Sequence, residues 1–163
     1  MKKQTLYVIA ILLVVAGVTY WSGIFQAPSP NKGVSEFEET EITEITMYRG
    51  EACNCCVKWA DYLMENGFQV IDRPVDNILD IKSANHVSSD LASCHTATID
   101  GYAVEGHVPS DEIRRLISER PDAAGIAVPG MPMGSPGMDS FRSEPYEVIL
   151  FDDSGNQSVF AQY

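Results

Sequence analysis

Three of the four cysteines in this 163-residue chain fall within four residues, Cys53-Asn54-Cys55-Cys56, and the fourth, Cys94, is followed directly by His95. Read as spacing, Cys53 and Cys56 form a C-x-x-C pair, Cys53 and Cys55 a C-x-C pair, and Cys55 and Cys56 are neighbours. A disulfide wants Cα atoms roughly 4.4–6.8 Å apart with converging Cβ vectors, and a bridge between neighbours closes a strained ring. At most one bridge within the cluster is comfortable. Disulfides that staple a domain gain most by closing long loops, so cysteines side by side point to chemistry at the sulfurs. The rest of the chain reads as the frame that holds them.

The N-terminus is set apart from that frame. Met1-Lys2-Lys3 is a short cationic start, and Leu6 to Phe25 is nearly all apolar, interrupted only by Gly17, Thr19, Ser22 and Gly23. Such a run matches the ~20 residues that cross a bilayer. A cleaved signal peptide has a shorter apolar core and a small-x-small cleavage site, which Phe25-Gln26-Ala27-Pro28 does not supply. Residues 1–26 are therefore expected to be an uncleaved transmembrane anchor, with a signal peptide as the alternative. Lys2 and Lys3 then stay in the cytoplasm and the remainder lies outside it. The exported part then works in an oxidising compartment.

Residues 27–43, rich in Pro, Ser, Asn and Glu, read as a flexible acidic linker. Residues 44–163 have the length of one ordinary domain. The chain carries 11 Lys and Arg against 23 Asp and Glu. Because Lys2 and Lys3 are among the cations, the exported part is more acidic still, which excludes nucleic acid as a natural partner.

Within the domain, Glu44 to Arg49 has the pattern of a strand. Val57, Ala60, Leu63 and Met64 recur at helical spacing from Cys56 until Asn66-Gly67 stops the helix. The cysteines thus sit at a strand-to-helix junction, where the helix dipole favours thiolates. Phe68 to Val75 reads as a second strand. Asn77 to Asn85 is a weaker helix with Ile78, Leu79 and Ile81 on its apolar face and a polar C-terminal half. Thr96–Ile99 and Tyr102–Glu105 flank Asp100-Gly101, a strong hairpin signal. A helix follows, with Ser110 as its N-cap, Arg114, Arg115 and Arg120 toward its negative end, and Pro121 closing it. Ala127 to Gly137, with three prolines and three glycines, is irregular, and Met131, Met133 and Met138 lie in or beside it. Tyr146–Phe151 and Gln157–Phe160 form a closing hairpin. This order is that of an α/β, thioredoxin-like fold with a C-terminal Pro/Gly/Met-rich loop and β-hairpin extension. In such a fold the loop entering the third strand brings Cys94-His95 to the first helix.

Four clustered thiolates suit soft metals, and copper, zinc and an iron–sulfur centre are the candidates. A single tetrahedral zinc takes pairs spaced C-x₂₋₄-C; Cys53 and Cys56 fit that pattern, but Cys55 points elsewhere once the helix has begun. Sulfurs bridging several ions remove the difficulty. Four thiolates with four Cu(I) ions are neutral and less costly to bury than four thiolates on one Zn(II). His95 and His107 are auxiliary ligands, tuning groups or structural histidines. Met131 and Met133 offer soft thioethers, or fill gaps as methionine often does. Trp59 reads as core. A second class of function, thiol–disulfide oxidoreductase through Cys53 and Cys56 without metal, suits the same helix start. A third is a structural module with its cysteines oxidised in pairs.

The motifs Cys53-x-Cys55-Cys56 with Trp59, Ser93-Cys94-His95-Thr96-Ala97, Gly101-Tyr102, Glu105-Gly106-His107-Val108-Pro109 and Val128-Pro129-Gly130-Met131-Pro132-Met133-Gly134-Ser135-Pro136-Gly137-Met138 together resemble the CopG-like family of bacterial periplasmic copper-resistance proteins. The resemblance runs from about Thr46 to the C-terminus. It implies a thioredoxin-like domain holding several coppers in a cysteine-bridged cluster on Cys53, Cys55, Cys56 and Cys94, and interconverting Cu(I) and Cu(II). Copper ions and other periplasmic copper-handling proteins would be its partners, with the membrane reached through the N-terminal segment. The chain departs from the family at Ala52 and Asn54, where glycines are common, and at His86-Val87-Ser88, where the family has Gly-Val-Pro. Asn is the non-glycine residue best suited to a left-handed conformation.

Overall fold

The structure, a computed structural model, describes residues 43–138 and 140–163. The expected anchor (1–26) and almost all of the expected linker (27–43) lie outside the described residues. Ten elements follow one another: β1 (Thr43–Arg49), α1 (Asn54–Glu65), β2 (Phe68–Pro74), α2 (Ile78–Ala84), β3 (His95–Ile99), β4 (Tyr102–Glu105), α3 (Ser110–Glu119), β5 (Gly125–Ala127), β6 (Glu147–Phe151) and β7 (Gln157–Gln162). The fold is mixed α/β. The seven strands among the described residues form one sheet in the order β2-β1-β3-β4-β5-β6-β7. The β1/β2 and β4/β5 pairs are parallel and the other four antiparallel.

Side chains alternate across a strand, and the two faces of this sheet bury different groups. Ile45, Met47, Ala97, Val104 and Ile126 join Trp59 and Leu63 of α1 and Ile113 and Leu116 of α3 in the main core. Ala103, Ala127 and Phe151 face the other way and pack with Val87 and Leu91, which follow α2. Burying each large aliphatic side chain of the main core stabilises the fold by about 1.5–3 kcal/mol.

Several local expectations are revised. α1 begins at Asn54, two residues early, so Cys53 is its N-cap and Cys55 lies in its first turn. Asn54 does not take the left-handed conformation; His86 does, at φ 59°. In α2 the expected apolar face is only partly used. Leu79 is 68% exposed, whereas Lys82, from the polar half, is buried. Ser110 is the first residue of α3 and Pro109 its N-cap. Ser110 is tied instead to Tyr62, whose hydroxyl accepts its backbone N–H and lies 3.0 Å from its Oγ. Arg114 and Arg115 leave the helix end to lie over Phe68 and Phe160 at 4.5 and 3.9 Å.

The sequence pattern does not announce β5, a three-residue strand that leads into the Gly/Pro-rich region. Gly125 permits it: a Cβ there would come within 2.1 Å of the Ala103 carbonyl oxygen on the paired strand.

Candidate metal centre

β1 ends by delivering the chain to the cysteines through a pinned turn. Arg49, mostly buried, donates to the carbonyls of Gly50 and Glu51 at 3.1 and 2.8 Å and binds Asp72 of β2. Cys53 follows as the α1 N-cap, with Cys55 and Cys56 in the first turn. From the other side, the loop after α2 brings Cys94 to the head of β3. All four Sγ atoms lie within 4.8 Å of one another. Cys53 Sγ is 3.5 Å from Cys55 Sγ, which is 3.7 Å from Cys94 Sγ.

Cys53 and Cys56 are joined in a disulfide, with Cα atoms 5.4 Å apart, while Cys55 and Cys94 are free. One bridge within the cluster is the most the spacing allows, and this is the pair that forms it. A set of four thiolates therefore belongs to the form in which this bond has been reduced.

His95 and His107 join the sulfurs as a second convergent group with Cys94, their ligand atoms also within 4.8 Å. His107 Nε2 is 3.1 Å from Cys94 Sγ, and its Nδ1 is 2.8 Å from the Pro136 carbonyl. A carbonyl only accepts, so Nδ1 carries the proton and Nε2 presents a lone pair to the sulfur. His95 Nδ1 is 3.4 Å from the same sulfur. Its Nε2 is buried without a hydrogen bond, and its ring lies 4.3 Å from that of Trp59. Trp59 is fully buried and its indole N–H donates to the Val108 carbonyl at 2.9 Å.

The electrostatics favour neutral groups when no metal is bound. Burial, reinforced by the neighbouring Cys55, pushes the Cys94 thiol up to about 12. Burial holds His95 well below the usual imidazole range, helped by His107 and Lys82, with the Gly106 carbonyl acting in the opposite direction. Burial lowers His107 too, against the Pro136 carbonyl. The helix-start argument, which favours thiolates, concerns Cys53, Cys55 and Cys56; at Cys94, at the head of β3, burial dominates. A bound cation would supply the missing stabilisation and release the proton.

The Pro/Gly/Met-rich loop straps this centre. Gly130 N–H donates to the Ala92 carbonyl at 3.3 Å, Ser93 Oγ donates to the Gly130 carbonyl, and the Pro136 carbonyl receives His107. Gly137, at φ 81°, lies so close to α1 that a Cβ would stand 2.8 Å from the Trp59 nitrogen and 3.1 Å from the Cys55 oxygen. Met131 and Met133, at 52% and 40% exposed, sit on the outside of the strap, whereas the two histidines are buried.

Among the described residues the donor set fits a soft or borderline metal: four sulfurs, two imidazoles and no carboxylate. The backbone-oriented His107 has the second-nitrogen partner that such a site needs. Sequence reasoning passed over Lys82 and Glu105, a buried ion pair beneath the Cys94 loop. A glutamate closing the apolar strand Tyr102–Glu105 was the signal for one partner; Lys82, in the polar half of α2, carried none.

Residues 91–138, from the loop before Cys94 to the end of the strap, match the family model described as "Protein of unknown function, DUF411". No curated protein matches the chain. Two solved structures are similar at 44% identity, "Copper resistance protein copG" in Form 2 and in Form 1. Form 2 has a TM-score of 0.73, the match covering 76% of this chain and 99% of that one. Form 1 has a TM-score of 0.72, covering 76% and 98%. At that identity and over the whole length of the solved relatives, this chain belongs to the CopG family of copper resistance proteins.

Proposed function

We propose that this protein handles copper by holding a polynuclear Cu(I) cluster bridged by Cys53, Cys55, Cys56 and Cys94. The observation that carries the reading is the convergence of all four sulfurs within 4.8 Å, with the nitrogens of His95 and His107 closing on Cys94. Bridging thiolates let four sulfurs serve several Cu(I) ions with little net charge, which suits a partly buried site. The copper resistance relatives support the choice of metal. The β1-α1-β2 unit with the β3-β4 hairpin and α3 supports a thioredoxin-like core, extended by β5 to β7.

The Cys53–Cys56 disulfide supports a redox role at the same site. When these two thiolates join, two electrons leave, and two Cu(II) ions accept them to become two Cu(I). A cellular dithiol donor returns the pair to the thiol form by disulfide exchange. On this reading the protein reduces Cu(II) to Cu(I), on the periplasmic side, tethered by Leu6 to Phe25.

The second reading, a metal-free thiol–disulfide oxidoreductase, draws on the same disulfide. Cys55, 3.5 Å from Cys53, argues against it, since a third thiol beside the pair invites scrambling. The test is to reduce the full-length protein, load it with Cu(I) without air, and measure metal content and X-ray absorption. Two or more coppers per chain with short copper–copper distances are expected. One copper per chain removes the cluster. No copper, with a reducible dithiol, leaves the oxidoreductase.

A further inference from the structure

Glu105 is fully buried at the end of β4, and its carboxylate accepts three hydrogen bonds. Lys82 Nζ of α2 and the Ser93 backbone N–H each donate to Oε1 at 2.5 Å, and Thr96 Oγ1 donates to Oε2 at 2.7 Å. Ser93 and Thr96 are the residues on either side of the Cys94-His95 pair. Thr96 and Glu105 are directly opposite in the β3/β4 register. Their side chains lie on the sheet face turned toward Ala103 and Ala127, opposite the face that carries Ala97 and Val104 in the α1 core. One carboxylate therefore grips the Cys94 segment from behind while the sulfur and the imidazole are presented to the front. His107, two residues beyond Glu105, is set by the same strand end.

We propose that Glu105 is a positioning residue of the metal centre, and that its acceptor oxygens, rather than its charge, fix Cys94 and His95 against His107. This deepens the proposed function and rests on it for the identity of the metal. Replacing a buried ion pair with apolar residues of similar volume is often neutral or stabilising. Stability thus gives little reason to keep Lys82 and Glu105. What Leu and Met cannot supply is an acceptor for Ser93 N–H and Thr96 Oγ1. Lys82 is then the counterion that lets a carboxylate occupy the position, and it also donates to Thr96 Oγ1 at 3.2 Å. Partners of metal ligands placed one layer out typically change affinity 10–100-fold when removed.

Two double variants separate acceptor from charge, and both remove the ion pair as a unit. K82M/E105Q keeps an acceptor oxygen in the clamp and K82M/E105L does not. Each is made in the full-length protein, reduced, and titrated with Cu(I) against a competing chelator; thermal unfolding and the absorption spectrum of the loaded protein are recorded. K82M/E105Q is expected to rescue wild-type copper number, affinity and spectrum. K82M/E105L is expected to fold, with an unfolding temperature lowered by the two donors left without an acceptor, and to bind copper at least tenfold more weakly with a changed spectrum. A purely structural role would move the unfolding temperature and leave the spectrum of the folded protein alone.

Wild-type affinity and spectrum in folded K82M/E105L, or equal losses in the two variants, would overturn the proposal. Should K82M/E105L fail to fold, Thr96→Val removes one clamp donor and no charge. It is then expected to weaken copper several-fold, and unchanged affinity would overturn the proposal equally. The copper number of the wild type, measured alongside, judges the cluster separately, because a single bound copper still permits the comparison of affinities.

Discussion

His107 Nε2 lies 3.1 Å from Cys94 Sγ, and the other nitrogen of the same ring is anchored 2.8 Å from the Pro136 carbonyl. The strap that follows β5 thereby orients an imidazole carried between β4 and α3, and both act on a sulfur carried before β3. Metal ligation by histidine generally depends on such a partner at the second nitrogen.

Cys94→Ser is expected to cost more bound copper than His107→Ala, because the sulfur bridges ions while the imidazole closes on one side. Chelator competition should show a loss of tenfold or more for His107→Ala, in the range found for groups that tune a metal site. Equal copper affinity in His107→Ala and wild type would assign the ring a structural role only.

The disulfide defines a switch in thiol count. Alkylation in denaturant should label two cysteines, Cys55 and Cys94, before reduction and four after it. Cu(I) uptake by the folded protein should rise with the same step. Undiminished uptake by the oxidised form would show that Cys53 and Cys56 are not ligands.

Gly137→Ala places a methyl group against the backbone of α1 at a left-handed position. Strain of this kind costs about 1–3 kcal/mol, so calorimetry should show a lower Tm. The strap must also lift from Cys55 and Trp59, so the copper-loaded spectrum is expected to change. An unchanged spectrum with a lowered Tm would separate the strap from the centre.

The apolar run Leu6 to Phe25 is expected to keep the protein with membranes through salt and carbonate washes. Recovery as a soluble form shortened by about 25 residues, the length of a processed signal, would instead establish cleavage.

Much of the fold was legible because local signals and tertiary contacts agree. The helix α1, the Asp100-Gly101 turn and the closing hairpin of β6 and β7 all appear where pattern places them, although of the repeat Val57, Ala60, Leu63 and Met64 only Ala60 and Leu63 are buried, with Cys56 and Trp59 completing the buried face. Each is set by periodicity or by a turn residue, and needs no knowledge of a distant partner. β5 was not legible. Three residues carry no period, and the strand exists because Gly125 can approach Ala103 on β4.

The sequence by itself determined the chemistry available: clustered soft donors, a single comfortable bridge, a histidine next to the fourth cysteine and an acidic domain behind an apolar N-terminus. Tertiary structure decided which groups meet and in what state. It paired Cys53 with Cys56, aimed His107 at Cys94 through a carbonyl 29 residues away, and left Met131 and Met133 on the outside. It also buried Lys82 against Glu105 across 23 residues. The physical reason is that charge and hydrogen-bonding capacity belong to each residue, whereas desolvation belongs to the packed environment. Burial, which no stretch of sequence specifies alone, is what keeps Cys94 protonated and His95 neutral in the folded protein without metal.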